Sequence, residues 1–194
     1  MDLAESRSSD AGFSLIEVTV AVFLLGVAVA GVAQLFALAT YANLSATGQT
    51  STTVLAVQKM EQLRGLAWGY LEGPGGTLGA SIADLTTNLS MDPPTSDGAG
   101  LNPSPAGTLD SSTPGYVDYL DAAGSWVGTG AQAPVGSAYV RRWSVSPLPS
   151  NPGETLVFQV VVVPLRREAR RVGQATGPLA DETRLVSVKT RKAL

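Results

Sequence analysis

The sequence predicts an α+β fold in which one long N-terminal helix lays its second half on a small antiparallel β-sheet. Three observations predict it. Residues 18–39, VTVAVFLLGVAVAGVAQLFALA, form a run of 22 residues without a charge. No proline interrupts residues 40–68, which follow it. From residue 116 onward, short stretches alternate or run apolar between clusters of Gly, Pro, Asp and Ser, as strands do between turns.

Composition sets the limits. A chain of 194 residues suits one modest core with an appendage. Only 15% of it is charged, against a common share of ~25%. With no Cys there are no disulfides, thiolate nucleophiles or Cys-type zinc sites. With no His, Ser-His-Asp and Cys-His chemistry is excluded and the commonest metal ligand is missing. No catalytic residue, cofactor or metal is expected, and the chain is not read as an enzyme.

Charge is unevenly placed. After Glu17 the next charged side chain is Lys59, 41 uncharged residues later. Residues 61–140 carry eight acids and one base, Arg64; residues 141–194 carry ten bases and four acids.

Each element follows in order. At 1.5 Å per residue, residues 18–39 make ~33 Å of helix, enough for a hydrocarbon layer of ~30 Å. Twelve of the 22 are Val, Leu or Phe, worth ~4–7 kcal/mol toward insertion. A chain this short has no core able to sheath such a helix, so the segment is read as a single membrane span. Gly26, Ala30 and Gly31 offer close helix contacts in lipid. A secretory signal cut after Ala37-Leu38-Ala39 is the rival reading. It fails on length, since signal cores run about 7–15 residues, and on the carboxylate within it.

That carboxylate, Glu17, opens the apolar run behind Phe13, Leu15 and Ile16. An acid at the bilayer centre costs ~2.5–3.5 kcal/mol, less near an end. Such a group is functional by default and needs a partner. No base lies near it in the sequence, so the partner must come from another chain, a new terminus or solvent.

The stretch Gly12-Phe13-Ser14-Leu15-Ile16-Glu17-Val18 closely resembles the GF(S/T)LIEV processing site of type IV prepilins and type II secretion pseudopilins. The resemblance implies a leader of residues 1–12, cleavage after Gly12 by a membrane prepilin peptidase, and N-methylation of the new terminus, Phe13. It also implies that Glu17 pairs with the Phe13 amine of a neighbouring pilin or pseudopilin subunit during assembly. Opposite charges attract strongly in a low-dielectric bundle, whereas either alone is costly to bury. The leader, with Asp2, Glu5 and Asp10 against Arg7, departs from the basic leaders usual in the family.

Residues 40–68 are expected to continue the helix. Tyr41, Leu44, Leu55, Met60, Leu63 and Ala67 share an apolar face, and Lys59, Glu61, Gln62 and Arg64 fill the polar side. Unbroken from Ser14 to Leu66, the helix measures ~80 Å and resembles the long pilin helix. Residues 69–115 read as a Gly/Pro-rich connection, with 14 Gly or Pro among residues 72–115. A short helix over 82–89, capped by Ser81, is expected inside it. The glycines near residue 75 lack the Lys-Ser/Thr of a phosphate-binding loop.

Residues 116–194 read as a sheet of three or four strands. Residues 116–120 and 125–127 form a hairpin around Asp121-Ala122-Ala123-Gly124. In residues 138–145, Tyr139, Trp143 and Val145 share a face. Residues 156–163 are continuously apolar except Gln159, as in a central strand covered on both sides, and residues 184–190 put Val186 and Val188 on one side. The pattern from Tyr139 to Val145 also resembles minor pilins of the PilV type. Arg166, Arg167, Arg170 and Arg171 make one basic cluster. It lacks interleaved aromatics, so it is read as a solvated loop rather than a nucleic-acid contact, and contact with an acidic patch of a next subunit, such as the stretch of residues 61–121, is the better of its functional readings.

The resemblance implies a single-pass protein of the bacterial inner membrane with its C-terminal domain in the periplasm. It implies assembly into a type IV pilus or its initiating tip, with prepilin peptidase, other subunits and the inner-membrane assembly platform as partners. A pseudopilin of a type II secretion system and a membrane-anchored binding module of the envelope are the alternatives.

Overall fold

The computed structural model describes residues 12–72, 78–171 and 181–191. Most of the expected leader, residues 1–11, lies outside them. Helix α1 (Leu15–Gly65) spans two units that divide after Leu44. In the first unit, every described residue from 12 to 44 is exposed. No helix-breaking proline occurs there, and Gly26 and Gly31 are carried without interruption. The hydroxyls of Thr19 and Thr40 donate to the carbonyls of Leu15 and Phe36 at 2.8 and 2.9 Å. Donated back to their own helix, these hydroxyls present no unmet donor to an apolar medium.

The second unit sets residues 45–65 of α1 on a five-stranded antiparallel sheet. Its strands are β3 (Val117–Leu120), β4 (Trp126–Gly128), β5 (Tyr139–Pro147), β6 (Thr155–Pro164) and β7 (Thr183–Thr190), in the order β4-β3-β5-β6-β7. The sheet has five strands where three or four were expected, and the short β4, the second arm of the expected hairpin, pairs with β3 through Tyr119 and Leu120. The middle place belongs to β5. The apolar β6 is interior beside it and aligned over its whole length, from Tyr139↔Pro164 to Pro147↔Leu156.

Period-2 alternation sorts the faces. Toward α1 point Leu120, Trp143, Val145, Leu156, Phe158, Val160 and Val162, packed with Leu55, Ala56, Met60 and Leu63. Full burial of Leu55, Met60 and Leu63 contributes ~1.5–3 kcal/mol each. On the far face Val117, Tyr119, Val140, Val161 and Val163 are covered by Leu109 and Leu165. Both faces of β6 are therefore dry at its C-terminal end, which explains its unbroken apolar run.

The β3–β4 turn is built by Asp121, whose Oδ1 accepts from the amides of Ala123 and Ser125, both at 2.8 Å. Gly124 completes it at φ 85°, and a Cβ there would lie 2.9 Å from Leu55 Cδ2. The left-handed backbone favours glycine, and a Cβ there would push the Leu55 side chain aside.

Four expectations fail. The helix stops at Gly65 rather than continuing to residue 68. Lys189 on β7 donates through Nζ to the carbonyls of Arg64, at 2.8 Å, and Leu66, closing the helix end with a cation. Beyond it, the segment read as a loop holds an antiparallel hairpin of β1 (Trp68–Glu72) and β2 (Leu78–Ala83), with Trp68 opposite Ala83. The helix expected over 82–89 is absent. Asp84 instead accepts from the hydroxyls of Thr86 and Thr87 at 3.3 and 2.9 Å, and Leu101 N donates to its carbonyl. Such local bonding competes with helical turns. Finally, the basic cluster read as a loop is a short helix, α2 (Leu165–Arg171).

Candidate functional site

Gly12, Phe13 and Ser14 precede α1 without regular structure, and the backbone carbonyl of Ser14 accepts from the amides of Glu17 and Val18 at 3.0 and 3.2 Å. These bonds start the helix. Phe13 is 82% exposed at its head, and Glu17 falls in the first turn, where the helix dipole favours a carboxylate. The structure thus places Gly12, Phe13 and Glu17 together at the tip of α1. Among the described residues Glu17 has no ion-pair partner.

Behind this tip the helix surface is apolar on all sides, with Phe23, Leu24, Leu25, Leu35 and Phe36 each more than half exposed. A Cβ added at Gly26 or Gly31 would meet nothing within 4 Å. These are open notches where another helix can approach closely. An apolar surface this extensive belongs in lipid or against other helices, not in water. By length and composition α1 is the one described helix able to cross a membrane.

A different arrangement holds the second half of α1. Lys59, expected on the polar side, is buried at 1% exposure. Its Nζ lies 2.8 Å from Asp118 Oδ2 on β3, donates to the Leu89 carbonyl, and sits 4.4 Å from the centroid of the Trp143 ring. Arg141 on β5, opposite Asp118 in the ladder, grips the same carboxylate with Nε at 2.8 Å and Nη2 at 2.7 Å. Its Nη1 reaches the Leu55 carbonyl at 3.1 Å and Gln58 Oε1 at 3.2 Å, tying sheet to helix.

Two cations share one carboxylate in a dry interior. Burial lowers the Lys59 pKa to about 8, aided by the Arg141 charge and opposed by Asp118. The bidentate fork and the face of Trp143 compensate part of the desolvation. Removing the carboxylate would leave both cations unpaired, at a cost of ~3–5 kcal/mol.

On the far face, Arg142 Nη2 donates to Glu168 Oε1 on α2 at 2.8 Å and to Ser112 Oγ at 3.1 Å. Tyr119 donates to the same Ser112 oxygen at 3.0 Å. Arg167 pairs with Asp181 at 3.1 Å. Part of the basic cluster therefore holds α2 to the sheet and its flank.

Sequence reading missed the Lys59–Asp118–Arg141 cluster. A signal existed: Leu55, Ala56, Met60 and Leu63 flank Lys59 at helical spacing, and Arg141 alternates with Trp143. No group of His, Cys, Asp or Glu suited to a metal occurs among the described residues.

Residues 7–33 match the family model described as the prokaryotic N-terminal methylation motif. The match covers the tip of α1 and the first part of its apolar run. No curated protein and no solved structure matched the chain.

Proposed function

We propose that the chain, whose residues 7–33 match the prokaryotic N-terminal methylation motif and whose apolar N-terminal helix is long enough to cross a membrane, is a prepilin of the type IV pilin and pseudopilin kind that serves as a minor pilin-like subunit. Prepilin peptidase cuts after Gly12 and methylates the Phe13 amine. The subunit then packs by α1 into a type IV pilus or the complex that initiates one. Its work is assembly, and its head of residues 45–194 is the periplasmic part. Other pilin or pseudopilin subunits and the inner-membrane assembly platform are its partners.

One observation carries this reading: Glu17 stands at the start of an exposed apolar helix directly behind a Gly-Phe junction. Moved into a helix bundle, that carboxylate loses water and needs a cation within hydrogen-bonding reach. Cleavage after Gly12 creates such a cation on Phe13, four residues away in sequence. A subunit's own Glu17 is also its fifth mature residue, so a neighbour displaced along the bundle can bring its terminal amine alongside.

Mass analysis of the N-terminus tests the reading. The expected product from membranes containing active prepilin peptidase begins at N-methyl-Phe13. A chain that keeps Met1 under those conditions is a membrane-anchored envelope module instead.

A further inference from the structure

Where β5 begins and β6 ends, a half-open recess of about 290 Å³ is lined by Gly48, Ala122, Tyr139, Pro164, Leu165 and Arg166. Its walls are mostly apolar, and its size falls just below the ~300–1,000 Å³ of small-molecule sites. It suits a few side chains rather than a whole cofactor. Its charged lining group is Arg166, which is exposed and has no ion-pair partner among the described residues. Arg167 beside it is held by Asp181, and Glu168 by Arg142, so the two acids around α2 are already engaged.

The same unit carries a projection of complementary character. Residues 92–97, Asp-Pro-Pro-Thr-Ser-Asp, are all exposed. The loop is clasped at its base. Asn88 N donates to the Thr95 carbonyl at 2.6 Å, Thr95 N donates back at 3.3 Å, and Gly98 N donates to the Thr86 carbonyl at 2.9 Å. Pro93 and Pro94 present apolar rings that lose no rotamer freedom when covered. Asp92 and Asp97 flank them, and neither has an ion-pair partner among the described residues. No residue of this loop lines the recess, so a contact between the two joins separate copies. The loop's root is tied to Lys59 through the Leu89 carbonyl, eleven positions beyond Gly48 on α1, ~16 Å at helical rise.

We propose that the recess seats the loop of residues 92–97 of a second copy, with Pro93 and Pro94 against Tyr139 and Leu165 and the two carboxylates around Arg166. Charge complementarity selects this occupant: an open guanidinium beside apolar walls meets open carboxylates beside apolar rings. Two different surfaces of like chains meet head to tail, and such contacts build rings or filaments rather than closed pairs. Because the recess and the loop's root lie at different levels of α1, like-oriented copies joined this way are shifted along the helix. The inference rests on the reading of the chain as an assembling subunit. Cleavage after Gly12 and pairing of Glu17 are read out separately, by N-terminal mass and fibre incorporation, so either can fail without the other.

The chain has no cysteine, so single thiols report on single positions. Full-length Ala122→Cys, at the recess, and Ser96→Cys, on the loop, are purified in detergent, mixed and mildly oxidised, one of them carrying a mass tag. The mixed disulfide is expected to form several-fold faster than either same-variant disulfide. Arg166→Glu in the Ala122→Cys chain should slow it about fivefold, the scale of one exposed ion pair turned repulsive. Arg166→Lys should keep most of the rate. Asp92→Lys in the Ser96→Cys chain should slow the reaction with Arg166 and restore part of it with Arg166→Glu, a rescue that misfolding cannot give. A mixed disulfide no faster than the same-variant ones overturns the proposal. So does a rate indifferent to Arg166→Glu, or one that Asp92→Lys fails to rescue. Same-variant disulfides that form fastest also overturn it, because the copies then meet through a symmetric face. A recess thiol that links only to another protein, once membrane extract is added, overturns it too, because the occupant is then a different chain.

Discussion

The two halves of α1 each carry an ionisable group among apolar neighbours, and they satisfy it in opposite ways. Lys59 finds its carboxylate inside the chain, on Asp118, at 2.8 Å. Glu17 has no such partner among the described residues and stands on an exposed helix tip. The difference teaches where each half does its work. A charge paired internally fixes one tertiary arrangement, and a charge left open fixes a relation to something outside the chain. One helix therefore serves as a finished core element at one end and as an unfinished contact at the other.

Substitutions can break the two halves apart. The largest expected effect is all-or-none: Gly12→Val should abolish processing, read as retention of Met1 in the N-terminal mass, with the head unaltered. Next, Asp118→Ala should destabilise the head by ~3–5 kcal/mol in denaturant titration, because Lys59 and Arg141 both lose their counter-charge. Glu17→Ala should leave that titration unchanged and permit cleavage, yet lower incorporation into fibres on the order of a hundredfold. Normal incorporation of Glu17→Ala would remove the contrast altogether.

Titration sharpens the same contrast. The folded pKa of Lys59 is lowered to about 8 from 10.5, so the unfolded chain holds this proton more tightly. Its charged form is a penalty on folding, fully present below pH ~8 and relieved as pH rises toward ~10.5, by up to ~3 kcal/mol. Lys189, also lowered by burial, acts with the same sign. Tyr116, raised by burial, opposes above pH ~10, because folding then favours a proton that solvent removes. Stability measured between pH 8 and 10 should rise, and Lys59→Met should flatten the rise. The smallest effect expected is Gly124→Ala, ~1–2 kcal/mol, from a strained φ and a Cβ pressed on Leu55.

The tip of α1 was legible because its signal is contiguous: seven residues, then an uncharged run, with no distant partner needed. The β5 and β6 strands were legible because alternation and a two-sided apolar run follow directly from burial. Lys59 was not, since its burial depends on Asp118 and Arg141, 59 and 82 positions away, and a lysine alone reads as surface. The β1–β2 hairpin was hidden by the glycines near residue 75, which resemble an open connection. The expected helix at 82–89 lost to Asp84, whose short side chain bonds its own neighbours.

The bond from Arg141 Nη1 to the Leu55 carbonyl has a mechanical meaning. Together with Lys59 it acts as a key in a slot: sliding the helix axially by one turn, ~5.4 Å, must shear several charge-assisted bonds simultaneously rather than peel them in sequence. Tension along α1 is thereby delivered into β3 and β5 near the middle of the sheet. A pull on residues 45–65 would load the sheet before it could strip the helix from it.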